Sequence, residues 1–419
     1  MRAAAAGFAR AHGAAAAGVL AVLVLFRVFF PLVVLARSPG RVLGGFPRYR
    51  YNPLEGDAYG YYSCARDLVA VWQRDARFVG PVVVLAVLAV VGAFRYSRRP
   101  AVRMGVVIWA LGAVAAVLTE RVRFTGAAQV GWSLVWSVPL LPLRALGASF
   151  VRPDIAYGVG LALSLACNAI TVVASYLLGR ALGLGTKIAL LGAGLFAFWP
   201  LLSLLAGASG SRNGTWQIDL GLSLYTEPLS TALVLVALVR VLRRPSSNAA
   251  SLLTGALLGL AVLVRLSNVL IVACVLAFLW VWRERDRAVA VAFGALAFAP
   301  AVLFFWPKSY PMLKAPVFPA HPFELGYARD AWSHSLLWHP FVLLVLVPLA
   351  LVGTVRASRR MAALLWSCVA ATAVLYTFYS LTPLHPRFLF VVLPIVLVFW
   401  AAGAAFVVRA AASLYDRPR

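Results

Sequence analysis

The sequence predicts an all-α fold, a polytopic bundle of about 11 to 13 transmembrane helices. Hydrophobic residues make up 63% of the 419-residue chain and charged residues only 12%. The mean hydropathy is +0.90, and apolar runs long enough to cross a bilayer recur along the whole chain. Soluble domains carry about twice this share of charged residues. We therefore expect a single integral membrane domain over residues 1–419.

The apolar runs define the predicted helices. The first, residues 13–36, runs into Arg37 without a small-residue cleavage site, so we interpret it as a membrane helix with the N-terminus inside rather than as a signal peptide. The run 251–282 is too long for one span and contains Arg265, which predicts two short helices. The other runs are 79–95, 104–119, 127–148, 156–178, 188–206, 223–242, 288–306, 338–355, 362–380 and 388–409.

The net charge of +25 is interpreted as membrane topology. Basic residues punctuate apolar stretches instead of gathering on a soluble face, which argues against nucleic-acid binding. Short arginine-rich loops are typical of the cytoplasmic side. The loops assigned inside are 95–103, 240–244, 283–287 and 356–360, and those assigned outside are 37–78, 207–222, 307–337 and 381–387.

The count of segments between two inside loops predicts one irregular segment. Five apparent segments separate loop 95–103 from loop 240–244, although an even number must cross the membrane between loops on one side. The run 127–148 is therefore expected either not to cross or to be re-entrant.

Acidic residues are concentrated on the predicted outer side. Of the thirteen, only Glu284, Asp286 and Asp416 fall inside. The positive-inside bias does not explain this distribution, because Asp and Glu contribute little to it. Carboxylates gathered on one face of a bundle indicate a polar site there. The ten on that face are Glu55, Asp57, Asp67, Asp75, Glu120, Asp154, Asp219, Glu227, Glu324 and Asp330.

The first external loop, residues 37–78, contains the first candidate site. From Asp57 onward, the spacing of Tyr61 and Leu68 predicts an amphipathic helix that lies along the membrane surface. Asp57 at its start suits an ordinary N-cap and is also a candidate general base, and the two roles are compatible. Glu55 is a second candidate for the base.

The second candidate site is the stretch "SLYTEPLSTALVLVALVRVLRR", residues 223–244. An acid followed by a proline is an ordinary helix start. An ionisable group near hydrocarbon is also a functional candidate, because an acid at the bilayer centre costs about 3 kcal/mol. Tyr225 and Glu227 are therefore candidate substrate-binding residues, and Glu227 is expected to bind a polar substrate group or to pair with a cation such as Arg265.

Three cations are candidates for binding an oxyanion. Arg265 interrupts an apolar run beside Ser267, which favours a polar turn over a snorkelling side chain, and its planar guanidinium binds oxyanions in a bidentate manner. His385 and Arg387 lie at the outer mouth of the last helix, where they would either anchor to headgroups or hold the phosphate of a lipid-linked substrate.

Neither metal nor cofactor is assigned by the sequence. The segment 306–340 holds three histidines, but without HxxxH or HExxH spacing, so no metal ligands are predicted and a divalent ion is left open. The four cysteines are far apart and are expected to be packing residues. Sequence patterns for ATP hydrolysis, serine hydrolysis and dinucleotide binding are missing.

Four short stretches follow one another along the chain in a fixed order. They are "EGDAYGYY", "YTEPL", "GALLGLAVLVRLSN" and "HPRFLFVVLPIVLVF". Their order resembles that of the GT-C superfamily of membrane glycosyltransferases. Residues 127–272 look most like the GPI mannosyltransferase II type and its bacterial relatives, and the first loop resembles the protein O-mannosyltransferase and aminoarabinose-transferase type.

This resemblance implies a catalytic carboxylate in the first external loop, which corresponds to Asp57, and a polyprenyl or dolichyl phosphate sugar as donor. Asp57 would take the proton of the acceptor hydroxyl during attack on the anomeric carbon. Arg265, His385 and Arg387 would stabilise the phosphate that leaves. The alternative is that Glu120 and Arg123 form the acidic loop.

The predicted activity is transfer of a hexose, with mannose expected, from this donor to a lipid, glycan or protein acceptor. The alternative is a transporter or flippase of lipid-linked sugars, which would show paired halves with interrupted helices. Only three of the 38 basic residues are lysine, and alanine is abundant. This usage indicates a high-GC bacterium, and hence a plasma membrane with the site on its extracytoplasmic face.

Overall fold

The computed structural model describes residues 12–37, 57–123, 129–145, 153–205, 224–243, 247–317, 345–378 and 389–415. Within these ranges, 89% of the residues are helical and none lies in a β-strand. In the same ranges, five helices are long and apolar enough to cross a membrane, or six if one pair bent by 42° counts as a single span. The all-α, membrane-spanning class is confirmed. The larger number of spans and the GT-C type stay predictions.

The described ranges contain sixteen α-helices in two compact units. Unit 1 comprises Met1–Tyr51, Leu165–Leu222 and Phe323–Arg419, and unit 2 comprises Asn52–Ser164 and Ser223–Pro322. The prediction of one membrane domain stays a prediction. In chain order the helices are α1 (Ala14–Arg37), α2 (Asp57–Arg74), α3 (Ala76–Tyr96), α4 (Pro100–Arg121), α5 (Gly131–Ala145), α6 (Pro153–Ala181), α7 (Thr186–Ala197), α8 (Trp199–Leu205), α9 (Glu227–Leu242), α10 (Asn248–Val264), α11 (Val269–Val281), α12 (Arg285–Leu296), α13 (Ala299–Val317), α14 (Val347–Thr354), α15 (Arg359–Phe378) and α16 (Leu393–Tyr415).

Helix α3 has the exposure of a lipid-facing span. Its 21 residues cover about 31 Å at 1.5 Å per residue, which matches a hydrocarbon core of about 30 Å. Leu85 and Leu88 are 65% and 60% exposed, and very little of the helix is buried. Apolar surface of this extent is rare on a soluble monomer, so the helix supports a multi-pass membrane protein.

The long apolar run 251–282 is broken where the sequence predicts. Helix α10 ends at Val264, a short 3₁₀ turn covers Leu266–Asn268, and α11 continues from Val269. Arg265 between them has an extended backbone, with φ −155° and ψ 110°. The predicted pair of short helices is therefore confirmed, and the polar residues after Arg265 lie in the turn.

Three arginine-rich turns of unit 2 lie at one end of its helices. The Arg240 side chain donates a hydrogen bond of 3.0 Å to the Ala250 carbonyl in the first turn of α10. Arg287, in the first turn of α12, donates one of 3.0 Å to the Val241 carbonyl at the end of α9. Gly105, early in α4, lies beside the first half of α10. We call this the arginine end.

The opposite end of unit 2, which we call the acid end, carries Glu120 and Glu227, two of the acids that the sequence assigned outside. The start of α9, the end of α10 and the end of α4 lie there, because each of these helices has its other terminus at the arginine end. Glu227 and Glu120 are thereby separated from Glu284 and Asp286, which flank the start of α12. The predicted segregation of these four acids is confirmed. Which end faces outside stays a prediction.

Helix α5 lies at the acid end and does not traverse unit 2. The Trp132 indole donates a hydrogen bond of 2.8 Å to the Leu224 carbonyl, just before α9. Gly160 in α6 packs against the Trp136 ring and the Leu224 side chain. The chain thus leaves α4 and enters α6 at the same end. The 15 residues of α5 also span only about 22 Å, as expected for a segment that does not cross.

Glycines bring helices of unit 2 into backbone contact. A Cβ on Gly255 in α10 would lie 2.0 Å from the Val291 carbonyl oxygen of α12. A Cβ on Gly294 in α12 would lie 2.2 Å from the Leu252 carbonyl oxygen of α10. Because both helices lack side chains at the crossing, van der Waals packing between backbones holds them together, as is common between helices in membranes.

Unit 1 contains a glycine crossing of the same kind. A Cβ on Gly353 in α14 would lie 1.9 Å from the Phe399 carbonyl oxygen of α16. One on Gly403 in α16 would lie 1.8 Å from the Leu349 carbonyl oxygen of α14. These helices therefore also meet at backbone distance.

Two elements in the predicted external loops are helical. Helix α2 begins at Asp57 as predicted, and Tyr61, Ala65 and Leu68 are buried on its apolar face. That face packs against α5 of the same unit, and its location at the membrane surface stays a prediction. Helix α13 continues to Val317, inside the predicted loop 307–337. The helix runs through Pro307 and Pro311, and proline is tolerated in helices at membrane depth.

We expect Gly255→Ala to destabilise the protein by about 1–3 kcal/mol, because the added methyl group overpacks the crossing of α10 and α12. The measurement is thermal unfolding in detergent micelles. Gly92→Ala in α3 is the matched control, since a Cβ at Gly92 meets nothing within 4 Å and alanine favours a helix. Equal melting temperatures for the two variants would show that the crossing does not limit stability.

We expect single cysteines at Arg123 and Arg144 to be labelled from the same side of the membrane, because α5 between them does not cross. A cysteine at Arg98, in the turn between α3 and α4, should be labelled only from the opposite side. The measurement uses a membrane-impermeant maleimide on oriented vesicles, with the four native cysteines replaced by alanine. Labelling of the first two positions from opposite sides would disprove the assignment.

Candidate functional site

A buried ion pair joins α9 to the break after α10. The Arg265 guanidinium Nη1 lies 2.8 Å from Glu227 Oε1, and the two side chains are only 6% and 4% exposed. Glu227 is the first residue of α9, preceded by Thr226 at the N-cap position and followed by Pro228. The predicted pairing of Glu227 with Arg265 is confirmed. Their role in binding a substrate stays a prediction.

An uncharged hydrogen bond next to the ion pair joins the same two elements with the same separation in sequence. Asn268 Nδ2 donates a hydrogen bond of 2.8 Å to Ser230 Oγ and another of 2.8 Å to the Ala261 carbonyl. Asn268 is 1% exposed. In both pairs the second residue follows the first by 38 positions. Two contacts three residues apart therefore fix the rotation and height of α9 against the break.

Helix α5 supports this site from the side. Trp132 is fully buried and its indole holds the Leu224 carbonyl at 2.8 Å, three residues before Glu227. A Cβ on Gly131 would lie 2.4 Å from the backbone nitrogen of Val264, so the start of α5 touches the end of α10. Helix α5 thus contacts the backbone just before Glu227 and the backbone just before Arg265.

The burial of the pair sets its energetics. Attraction between charges rises as the dielectric constant falls, but each charge also loses its hydration. Such a pair adds little net stability relative to apolar side chains, whereas one partner without the other is costly. A buried pair of this kind is therefore weak evidence for added stability.

A second polar cluster lies where α2 and α4 end. Asp67 Oδ1 accepts a hydrogen bond of 2.9 Å from Arg74, and Asp67 Oδ2 accepts one of 2.6 Å from the Arg123 backbone N–H. Arg74 also donates to Asp75 at 2.9 Å and to the Arg121 carbonyl at 3.0 Å. These contacts tie the end of α2 to the end of α4.

Lys308 of α13 caps helix α4. Its ammonium group donates to the Thr119 and Val122 carbonyls at 3.0 Å each, and also to the Glu120 carbonyl. The last carbonyls of a helix have no partner inside the helix, and a cation there also suits the helix dipole. Lys308 was not a sequence candidate, although one of only three lysines beside a predicted helix end was a usable signal.

Glu120 and Arg123 do not form a buried pair. Glu120 pairs with Arg121 at 2.6 Å and its side chain is 45% exposed. The Arg123 side chain is exposed, and its backbone rather than its guanidinium binds Asp67. Both lie at the acid end of unit 2, as the alternative acidic loop requires, but they offer a solvated carboxylate rather than a desolvated one.

The remaining candidates differ in how far the structure describes them. Tyr225 is partly buried, two residues before Glu227. Asp57 begins α2, while its side chain lies outside the described residues. Glu55, His385 and Arg387 also lie outside the described residues. Helix α2 is fixed to α5 by the Ser133 hydroxyl, which donates a hydrogen bond of 2.9 Å to the Tyr61 carbonyl.

A buried arginine in unit 1 was missed by the sequence reasoning. Arg27 is fully buried in the middle of α1, and its Nε and Nη2 donate to Asn168 Oδ1 at 3.2 and 2.6 Å. Its guanidinium also lies 4.7 Å from the centre of the Phe196 ring. An arginine in the middle of a predicted span was the signal, since such residues are functional candidates by default.

Two groups in α2 have shifted pKa values. Burial raises the pKa of the Cys64 thiol to about 12, and a hydrogen bond with Ser133 only partly opposes this. The thiol therefore stays protonated and behaves as a packing residue, as the sequence suggests. Burial alone would lower the pKa of Arg74, but its hydrogen bonds to Asp67 and Asp75 outweigh this and raise it.

The described residues hold no group of three His, Cys, Asp or Glu side chains that is placed to bind a metal ion. The groups described at the site of Glu227 and Arg265 are paired charges and hydrogen-bonding side chains. A carboxylate, a guanidinium, a carboxamide and a hydroxyl meet there, from Glu227, Arg265, Asn268 and Ser230. Such groups recognise hydroxyls and oxyanions.

We expect Glu227→Leu and Arg265→Met each to destabilise the protein by about 3–5 kcal/mol, because each leaves one buried charge without its partner. The double variant should recover most of this loss, since it buries no charge. The measurement is a double-mutant cycle by thermal unfolding in detergent. A double variant as unstable as the sum of the single variants would show that the two charges do not depend on each other.

No protein-family model matches the chain, and no curated protein matches it. The resemblance to GT-C glycosyltransferases therefore stays a prediction from the sequence motifs.

Proposed function

We propose that this chain is a membrane glycosyltransferase. It moves a sugar, with mannose expected, from a polyprenyl phosphate donor to a lipid, glycan or protein acceptor at the outer face of a bacterial plasma membrane. The observation that carries the proposal is the buried pair of Glu227 and Arg265, at the acid end of unit 2. A transferase with an anionic lipid donor needs a group that accepts hydrogen bonds from sugar hydroxyls and a cation that binds the phosphate.

The proposed reaction is an in-line displacement. Asp57 takes the proton of the acceptor hydroxyl while that oxygen attacks the anomeric carbon, and the bond to the lipid phosphate breaks. Arg265 stabilises the phosphate that leaves, because a planar guanidinium matches two oxygens at once. Glu227 orients a sugar hydroxyl. Glu55 and Glu120 are the second and third candidates for the base.

The fold supports this division of roles. Helix α2, which begins at Asp57, is held on α5 through Ser133 and Tyr61. The same α5 holds Leu224, just before Glu227, through Trp132. The proposed base and the proposed substrate-binding pair are thus positioned by one short helix, which satisfies the need for rigid placement of reacting groups.

One observation favours the alternative of a transporter or flippase. Unit 2 contains two interrupted helices, one broken at Arg265 between α10 and α11 and one bent by 42° between α12 and α13. Transporters bind anionic groups at such interruptions. The glycosyltransferase remains the leading proposal because it also accounts for the ordered motifs around Asp57 and Glu227.

The test is sugar transfer by the purified protein from radiolabelled polyprenyl phosphate mannose to membrane acceptors. We expect transfer by the wild type and a loss of about 100-fold or more in Asp57→Asn, since the general base is removed. Glu284→Gln, at the arginine end, is the matched control and should keep full activity.

Three outcomes would change the proposal. Full activity in Asp57→Asn with loss in Glu120→Gln would move the base to Glu120. Absence of transfer with every polyprenyl sugar tested would rule out the enzyme. Movement of the intact lipid-linked sugar across the vesicle membrane, without sugar transfer, would show that the protein is a transporter.

A further inference from the structure

The ion pair in the site is closed, and this has a consequence for how an anion binds. Arg265 already contacts a carboxylate at 2.8 Å, and both side chains are almost fully buried. A phosphate that approached the intact pair would place a second anion beside one cation in a medium of low dielectric constant, where repulsion between like charges is strong. Arg265 therefore cannot hold a phosphate and the Glu227 carboxylate equally well.

The backbone around the pair is held by contacts that do not involve the two charged side chains. Asn268 keeps its hydrogen bonds to Ser230 and to the Ala261 carbonyl, neither of which involves the charged pair. The backbone that carries Arg265 thus stays fixed relative to α9. Only the side chains have to move.

Both anions would find stabilising backbone dipoles in the opened state. Glu227 lies in the first turn of α9, whose positive end favours a carboxylate even when it has left Arg265. Arg265 lies immediately before the 3₁₀ turn that leads into α11, and the start of an interrupted helix favours an anionic ligand.

We infer that Glu227 is an internal counter-ion that occupies the oxyanion site of Arg265 until a phosphate group displaces it. The inference rests on the proposed function for the source of that phosphate, the headgroup of a polyprenyl phosphate. Glu227 then lowers the affinity for the phosphate and is released toward the sugar when the donor binds. It is a positioning and specificity-determining residue, because only an anionic ligand can replace its carboxylate at Arg265.

The test measures binding of undecaprenyl phosphate, which carries no sugar, to the purified protein in detergent. We expect Glu227→Gln to tighten binding by about tenfold, since a neutral amide competes less for the guanidinium, and Arg265→Gln to weaken it by about tenfold. Glu284→Gln is the matched control, because Glu284 also pairs with an arginine, Arg287. It should leave the affinity unchanged.

A second ligand separates lipid from free phosphate. If replacement of the carboxylate by phosphate alone governs binding, the affinities of the variants for inorganic phosphate should fall in the same order. If the lipid chain is required, inorganic phosphate should not bind. Weaker or unchanged binding of undecaprenyl phosphate in Glu227→Gln would overturn the inference. If that variant does not fold, Glu227→Asp replaces it, with a longer ion pair and tighter phosphate binding expected; unchanged or weaker binding overturns the inference equally.

The outcome is separable from that of the proposed function. Tighter binding in Glu227→Gln without sugar transfer by the wild type would keep the counter-ion and reject the transferase. Sugar transfer with unchanged binding in Glu227→Gln would do the reverse.

Discussion

Glu227 and Arg265 share one buried contact at the start of α9, and the elements on either side of it are fixed by neighbouring hydrogen bonds. The Glu227 carboxylate and the Arg265 guanidinium are both nearly inaccessible, so each depends on the other to offset its lost hydration. Their backbones are fixed separately, through Asn268 on one side and Trp132 on the other. The backbone positions of Glu227 and Arg265 are therefore fixed by contacts that do not involve their charged groups.

Charge and packing are divided along unit 2. Backbone contact at Gly255 and Gly294 joins α10 and α12 without polar groups, while polar contacts lie toward the helix ends. At the arginine end they satisfy helix termini, as Arg287 does for α9. At the acid end they assemble Glu227 with Arg265 and Asp67 with Arg74. An apolar middle with polar ends is what a bilayer imposes, because no water satisfies polar groups in its core.

Local signals allowed several features to be predicted from the sequence. The break at Arg265 followed from a charge in an overlong apolar run. Its pairing with Glu227 was one of the two roles expected for that acid, the other being to bind a polar substrate group. The cap that Lys308 places on α4 and the bond from the Arg123 amide to Asp67 did not follow. These contacts join positions distant in sequence through side-chain geometry, and residue type and periodicity do not encode such geometry.

The two contacts between α9 and the break join residues the same number of positions apart in the sequence, so they can only be aligned together. Both partners are 38 residues apart, so a shift or rotation of α9 by one position would separate Glu227 from Arg265 and Ser230 from Asn268 at once. A length change inside α9 or α10 would misalign both contacts, whereas one confined to the segment between these helices would leave them intact. Tolerance to insertions and deletions in this region is therefore expected to change abruptly at the helix boundaries.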